Sequence, residues 1–268
     1  MPESGGRDSF FLRCMMQDRG YLLSIQRLLE IENRQLEENK QDLLWQQALA
    51  LLDEERRKKV QRLKAGRKRA ESMGAGLLLQ LAVLEMLKAE QTKKDVKDRP
   101  KELTEQGTKI TEVTLAQILK MVKKPLPLEY TYGEQGKPYL KNMPYFFNIS
   151  HSGEYVFLVI SSKETGADLQ FMESEVKERV LYRFFSEEEK KLYEECDNKE
   201  AQKKLFYQLW CRKEAYAKLT GEGISAVIGT CINEDVWYRQ GNMTQPRKVT
   251  IEEYQLSQCY QLAICKWK

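Results

Sequence analysis

Two runs of β-branched and aromatic residues, 146–149 and 155–160, stand on either side of Ser150-His151-Ser152-Gly153. Apolar runs that short, bounded by a glycine-containing turn, read as strands, and the turn presents His151 at a strand end, where functional groups sit more often than core. Around this centre the pattern is mostly helical. Leu43, Leu44, Ala48, Leu51 and Leu52 recur at three- and four-residue steps, as do Leu77, Leu78, Leu81, Ala82, Leu84 and Leu87, so residues 42–87 read as helix. Residues 204–219 form another helix, ended by Thr220-Gly221-Glu222-Gly223. Residues 176–196 read as two helices broken at Ser186, which caps the second ahead of Glu187, Glu188 and Glu189.

Further strands are expected over 128–132 and 137–140, around a turn at Gly133 to Gly136, and at Asp168 to Gln170. The tail alternates through Val249, Ile251, Tyr254, Tyr260, Leu262 and Ile264 as antiparallel strands do. Helical patterns are also read over 21–36 and 111–121, an edge strand at Phe10-Phe11-Leu12, and a polar connection over 90–109.

Composition narrows the classes. The chain has 268 residues, enough for one large core or two modest ones, and 44 Lys and Arg against 40 Asp and Glu leave a mild net charge of +4. His151 is the only histidine, which excludes any mechanism that needs two imidazoles. Cys14, Cys196, Cys211, Cys231, Cys259 and Cys265 lack the paired spacing of zinc sites and read as reduced structural thiols. With neither a signal-peptide block nor a membrane-spanning apolar run in view, a cytoplasmic, soluble protein is expected.

Asp168 and Gln170 are two apart on an expected strand and share a face, while Glu214 and Lys218 are four apart on a helix and share another. Two carboxylates with open positions suit Mg²⁺, and a lysine one turn on would add a fixed positive charge, a set fit for phosphoryl-type transfer. A glutamate and lysine at that spacing is also what an ordinary surface ion pair looks like. Arg56, Arg57, Lys58, Lys59, Arg62, Lys64, Arg67, Lys68 and Arg69 make a cationic block that reads either as a solvated helix face or as an anion-binding surface.

Taken jointly, Gly136-Lys137-Pro138, Asn148-Ile149-Ser150-His151-Ser152-Gly153, Gly166-Ala167-Asp168, Arg183-Phe184-Phe185-Ser186 and Trp210-Cys211-Arg212-Lys213-Glu214-Ala215-Tyr216-Ala217-Lys218 closely resemble the Sfp-type 4'-phosphopantetheinyl transferases. The likeness covers roughly residues 40–265. It implies an α+β fold of two similar α/β lobes related by a pseudo-twofold axis, each with a small, mostly antiparallel sheet on helices, divided at 163/164. It implies transfer of 4'-phosphopantetheine from coenzyme A to a serine of an apo acyl or peptidyl carrier protein, with release of adenosine 3',5'-bisphosphate. Mg²⁺, or Mn²⁺, would be held by Asp168 and Glu214.

By the same resemblance Lys218 would neutralise the phosphates and the leaving group, and Lys213 would lie beside the nucleotide. Ser150 and His151 would meet the 3'-phosphate, Lys137 would line the coenzyme, and Arg56, Lys59 and Ser72 would complete the phosphate pocket. Glu214 is the candidate general base, and a monomer that binds neither membrane nor nucleic acid is expected. Trp210 and Phe184 read as core. Where many relatives carry a glutamate, this chain has Gln170, which can ligate only weakly or through water. A weakly active or inactive relative that only binds coenzyme A or carrier protein is the alternative; a nucleic-acid module on the cationic block would leave Asp168 and Glu214 unexplained.

Overall fold

A computed structural model describes residues 17–38, 42–94, 107–141, 143–173, 175–232 and 248–268. In chain order the elements are β1 (Arg19–Ser24), α1 (Gln26–Glu38), α2 (Leu43–Ala50), α3 (Glu54–Arg62), α4 (Arg67–Lys94), β2 (Lys109–Val113), α5 (Leu115–Met121), β3 (Tyr130–Tyr132), β4 (Pro138–Leu140), β5 (Phe146–Ser152), β6 (Tyr155–Ser161), β7 (Thr165–Phe171), α6 (Glu178–Phe184), α7 (Glu187–Glu194), α8 (Lys199–Thr220), a 3-10 turn (Ile224–Val227), β8 (Val249–Ser257) and β9 (Tyr260–Trp267). They fall into two units. One holds residues up to 130 with 140–146 and 154–162; the other holds 131–139, 147–153 and 163–268.

In the first unit β1 lies between β2, parallel to it, and β6, antiparallel to it. α4 packs on β1 and β6 and is buried nearly all round, through Met73, Leu77, Leu78, Leu81, Ala82 and Met86. By length and composition α4 could cross a membrane, but 78% of its most apolar stretch is buried inside the protein, as in a core helix. The helical pattern read over 42–87 is three helices, because side chains cap each start. Asp42 accepts from Leu44 N–H at 2.8 Å, Asp53 accepts from Arg56 N–H at 2.9 Å, and buried Glu32 accepts from Gly66 N–H at 2.8 Å just ahead of α4.

Two sequence readings change here. The helix read over 21–36 begins only at Gln26, since Tyr21 to Ser24 belong to β1, and that over 111–121 begins at Leu115, since Thr111 to Val113 belong to β2. Leu22, Leu23 and Val113 are buried by strand pairing between distant segments, which local periodicity does not register. The connection read over 90–109 is helical as far as Lys94; its residues 95–106, and Phe10 to Leu12, lie outside the described residues.

The second unit is built on an antiparallel sheet ordered β7-β9-β8, with Asp168 opposite Ala263 and Gln170 opposite Gln261. α8 lies across β7 and β9. Asn198 caps its start and Gly221, with φ of 70°, ends it in the left-handed conformation. Ser186 and Glu189 form a reciprocal capping box at α7, as the Ser186 reading expected. α6 and α8 close over a core of Met172, Leu181, Phe185, Phe206, Tyr207 and Leu209, against which Phe184 and Trp210 also pack.

Candidate functional site

α8 can approach β7 only because residue 166 has no side chain. A Cβ there would stand 2.2 Å from both Ala215 O and Leu219 N, so the helix backbone rests directly on the strand. That notch brings Asp168, two residues along β7, level with Glu214 and Lys218 on α8. Lys218 Nζ lies 2.6 Å from Asp168 Oδ1, and Asp168 is 2% exposed.

The other edge of β7 is covered by β5 side chains. Asn148 Oδ1 accepts from Ala167 N–H at 3.0 Å, Ser150 Oγ from Leu169 N–H at 3.0 Å, and Ser152 Oγ from Phe171 N–H at 2.8 Å. Alternate residues of one strand thus satisfy alternate amides of the other, in place of a backbone ladder. Ser150 also donates to Asp168 Oδ1 at 2.9 Å and receives a bond from Lys218 Nζ at 3.0 Å. Gln170 Nε2 donates to Asp168 Oδ2 at 2.8 Å. Burial and then the charge of Asp168 push the Glu214 carboxyl up to about 7, with Lys218 pulling the other way.

Asp168, Gln170, Glu214, Lys218 and Ser150 therefore come together as one cluster. The donor set suits a hard divalent cation, with two carboxylates and one carboxamide oxygen in a half-buried place. Among the described residues no group of three or more His, Cys, Asp or Glu forms a metal cage, so such an ion would take the rest of its ligands from water or substrate.

Lys213 faces elsewhere. It is fully buried, lies 2.7 Å from Glu189, bonds the carbonyl of Thr230 and sits over the Phe185 ring. Burial lowers its pKa and Glu189 offsets part of that. His151 is exposed, and the period of β5 turns it from the face that carries Ser150 and Ser152. Lys137 donates to Leu219 O at 2.8 Å and pairs with Glu164 at 3.2 Å; it helps line a cavity of about 440 Å³ with Gly133, Tyr139, Thr220, Gly221 and Glu222.

In the first unit, Arg56 crosses α4 at Gly76, where a Cβ would come within 2.6 Å of Arg56 Cγ. One turn back along α4, the Ser72 hydroxyl is buried without a hydrogen-bond partner. Lys59 has its pKa lowered by burial and then by Arg56. Much of the cationic block is spoken for locally: Arg57 bonds Leu52 O, Lys58 pairs with Glu54, and Arg69 stacks on Trp45 and pairs with Glu32. Sequence reasoning missed Asn148, Ser152, Glu164 and Glu189. The first two had a legible signal, since Asn148-x-Ser150-x-Ser152 repeats the strand period; Glu189 was legible as the fourth residue of a Ser186-x-x-Glu189 cap but not as the partner of Lys213, and Glu164 had no signal beyond being acidic.

Residues 164–265, which hold β7, α8 and the Asp168 cluster, match the family model of the 4'-phosphopantetheinyl transferase superfamily. This segment is a 4'-phosphopantetheinyl transferase superfamily domain. A Synechocystis sp. protein assigned to the 4'-phosphopantetheinyl transferases is 40% identical over 117 residues, 41% of this chain and 47% of its own length. The 4'-phosphopantetheinyl transferase psf-1 of Bacillus pumilus is 32% identical over 155 residues, 53% of this chain and 64% of its own. A Bacillus subtilis 4'-phosphopantetheinyl transferase is 36% identical over 104 residues, 38% and 45% respectively. The chain thus spans about half the length of these relatives. The superfamily domain's α+β content and small antiparallel sheet are those described for the second unit.

Proposed function

We propose that this chain transfers 4'-phosphopantetheine from coenzyme A to a serine of an apo acyl or peptidyl carrier protein, releasing adenosine 3',5'-bisphosphate. The observation that carries this is the meeting of Asp168, Glu214 and Lys218 at the Gly166 notch, inside the segment that matches the family. Glu214, the carboxylate set beside Asp168 and Lys218 at the reacting centre, takes the proton of the attacking serine. The serine oxygen bonds the β-phosphorus while the bond from that phosphorus to the bridging oxygen breaks, and the bisphosphate departs. Lys218 offsets the charge gathering on the phosphates and gives the leaving oxygen a donor.

Asp168 and Glu214 would hold Mg²⁺ or Mn²⁺, with Gln170 contributing at most an amide oxygen; the ion would supply charge neutralisation on the pyrophosphate. His151, with Lys137, Arg56, Lys59 and Ser72, is proposed to receive the coenzyme's phosphates, and the buried, unpartnered hydroxyl of Ser72, one helical turn from where Arg56 crosses α4 at Gly76, supports that part. We also propose the pseudo-twofold pairing of lobes around the coenzyme, a monomer, and a cytoplasmic location where the free thiols of Cys231 and Cys259 stay reduced.

Incubation with coenzyme A, Mg²⁺ and an apo acyl carrier protein, followed by the intact mass of the carrier, tests the reaction. A phosphopantetheinyl mass increase is expected. A folded protein that binds coenzyme A yet leaves the carrier unchanged would be the inactive relative instead.

A further inference from the structure

We propose that Tyr130 is a positioning residue for the Arg56 cation: its hydroxyl occupies the Asp53 carboxylate that would otherwise capture the guanidinium, and so keeps that charge available to the coenzyme's phosphates. The affinity test below rests on the coenzyme reading of Arg56; the geometry and the resonance test do not. Asp53 is 3% exposed and caps the start of α3. Its Oδ1 accepts from Arg56 N–H at 2.9 Å, and its Oδ2 accepts from the Tyr130 hydroxyl at 2.8 Å.

An acid and a base three residues apart at a helix start are neighbours that pair readily. A buried carboxylate short of partners draws in whatever cation it can reach, because an unpaired buried charge is costly. Here a backbone amide and a tyrosine give Asp53 its hydrogen bonds without spending a cation. Among the described residues no carboxylate lies within ion-pair distance of the Arg56 guanidinium, whereas Lys58 on the same helix is paired with Glu54. The Arg56 stem is pressed on α4, since a Cβ at residue 76 would stand 2.6 Å from its Cγ and 3.3 Å from its Cδ. Burial and then the charge of Asp53 raise the Tyr130 pKa while Arg56 pulls it down, so cation, carboxylate and hydroxyl lie within electrostatic reach of one another. The tyrosine's own approach is fixed from α4. Gln80, one turn beyond Gly76 and fully buried, accepts from Leu126 N–H at 2.6 Å and donates to Leu126 O at 3.1 Å, which anchors the segment that leads to Tyr130.

The experiment compares wild type with Tyr130→Phe, Asp53→Asn, the double variant of the two, and Arg56→Gln. Coenzyme A affinity is measured by calorimetry without carrier protein. Exchange of the Arg56 Nε proton with water is followed by nuclear magnetic resonance in the absence of coenzyme, the signal being assigned by its loss in Arg56→Gln. Tyr130→Phe frees Asp53 Oδ2 and is expected to slow that exchange, as Arg56 pairs with Asp53, and to weaken coenzyme A by about tenfold, the equivalent of one hydrogen bond to a charged group. Asp53→Asn keeps a good helix cap, and its amide can donate to the tyrosine oxygen, so coenzyme affinity should hold. The double variant has neither hydroxyl nor carboxylate and should recover wild-type affinity and exchange.

Equal losses of coenzyme A affinity in Tyr130→Phe and in the double variant would make the hydroxyl a structural strut and overturn the proposal. So would an Arg56 signal that Tyr130→Phe leaves unmoved. If Tyr130→Phe does not fold by itself, the double variant decides: one that folds but binds coenzyme A about tenfold more weakly than Asp53→Asn sinks the idea, and one that matches Asp53→Asn upholds it. Slowed exchange in Tyr130→Phe, with coenzyme A bound equally well by wild type and Arg56→Gln, would remove the coenzyme reading of Arg56 and leave the shielding by Tyr130 standing.

Discussion

Asp168 is held from three sides, by Ser150, Lys218 and Gln170, and each bond has a consequence that can be measured. Asp168→Asn and Glu214→Gln keep the shape of the site and remove its anionic oxygens. Transfer by either variant is expected to fall at least a hundredfold, with melting temperature nearly unchanged in Glu214→Gln and lowered in Asp168→Asn, whose amide nitrogen would meet a donor, read by carrier modification rate and thermal melts; a rate within a few-fold of wild type would place the chemistry elsewhere. Gln170→Glu replaces the donor to Asp168 Oδ2 with a second acceptor. An unpaired buried acceptor costs about 1–3 kcal/mol, so this variant should melt lower than wild type without Mg²⁺ and recover when Mg²⁺ is added. Melts taken in both conditions check it, and a variant indifferent to Mg²⁺ would show that Gln170 does not face the ion.

At the scale of elements, the site depends on how α8 is seated. Gly166→Ala would drive a methyl group into Ala215 O and Leu219 N, neither of which is a flexible side chain that can turn away. Overpacking in a tight core costs about 1–3 kcal/mol and more where backbone must shift, so the variant should be destabilised by at least that much. Its transfer rate should fall further than its stability, because Glu214 and Lys218 ride on the displaced helix; chemical denaturation alongside the carrier assay separates the two effects. The second seat is the buried pair of Lys213 with Glu189, which ties α8 to α7 and, through Thr230, to the segment after the 3-10 turn. Lys213→Met leaves Glu189 as a buried carboxylate without its partner and should cost about 3–5 kcal/mol by denaturant unfolding. The Lys213→Met, Glu189→Gln double variant removes the unpaired charge yet keeps an acceptor for Ser186 N–H, and should recover much of that. A single variant as stable as wild type would mean the pair is structurally idle.

On the scale of the whole molecule, one carboxylate links distant stretches of the second unit. Glu164 receives Lys137 and Tyr139 from 131–139 and Trp267 from the end of β9. Burial raises the Glu164 pKa, but Lys137 and the bonds from Tyr139 and Trp267 outweigh it and leave the group below its ordinary value of 4.5. A carboxyl with a depressed folded-state pKa stabilises the fold above its unfolded pKa and loses that contribution as pH falls through the folded value. The stability gap between wild type and Glu164→Gln should therefore be constant near neutrality and shrink once the pH drops below about 4.5, as urea unfolding across pH would show. A gap that does not vary with pH would mean that the effect is not ionic.

The long helices, the α7 cap at Ser186, the tail strands and the shared faces of Asp168 with Gln170 and of Glu214 with Lys218 all follow from periods of two and 3.6 residues, which are local properties. The motif order supplied the chemistry as well, since carboxylates, lysine and a lone histidine restrict what a site can do. Tertiary structure alone decided that Tyr21 to Ser24 and Thr111 to Val113 are strands, because their partners are far along the chain. It also decided that Lys213 points to Glu189 while its neighbour Glu214 points to Asp168, a matter of about 100° around a helix whose two faces are both buried. Ser150 gave the least warning. The strand period puts it on one face with Ser152, and only the approach of β5 to the open edge of β7 brings it to Leu169, Asp168 and Lys218.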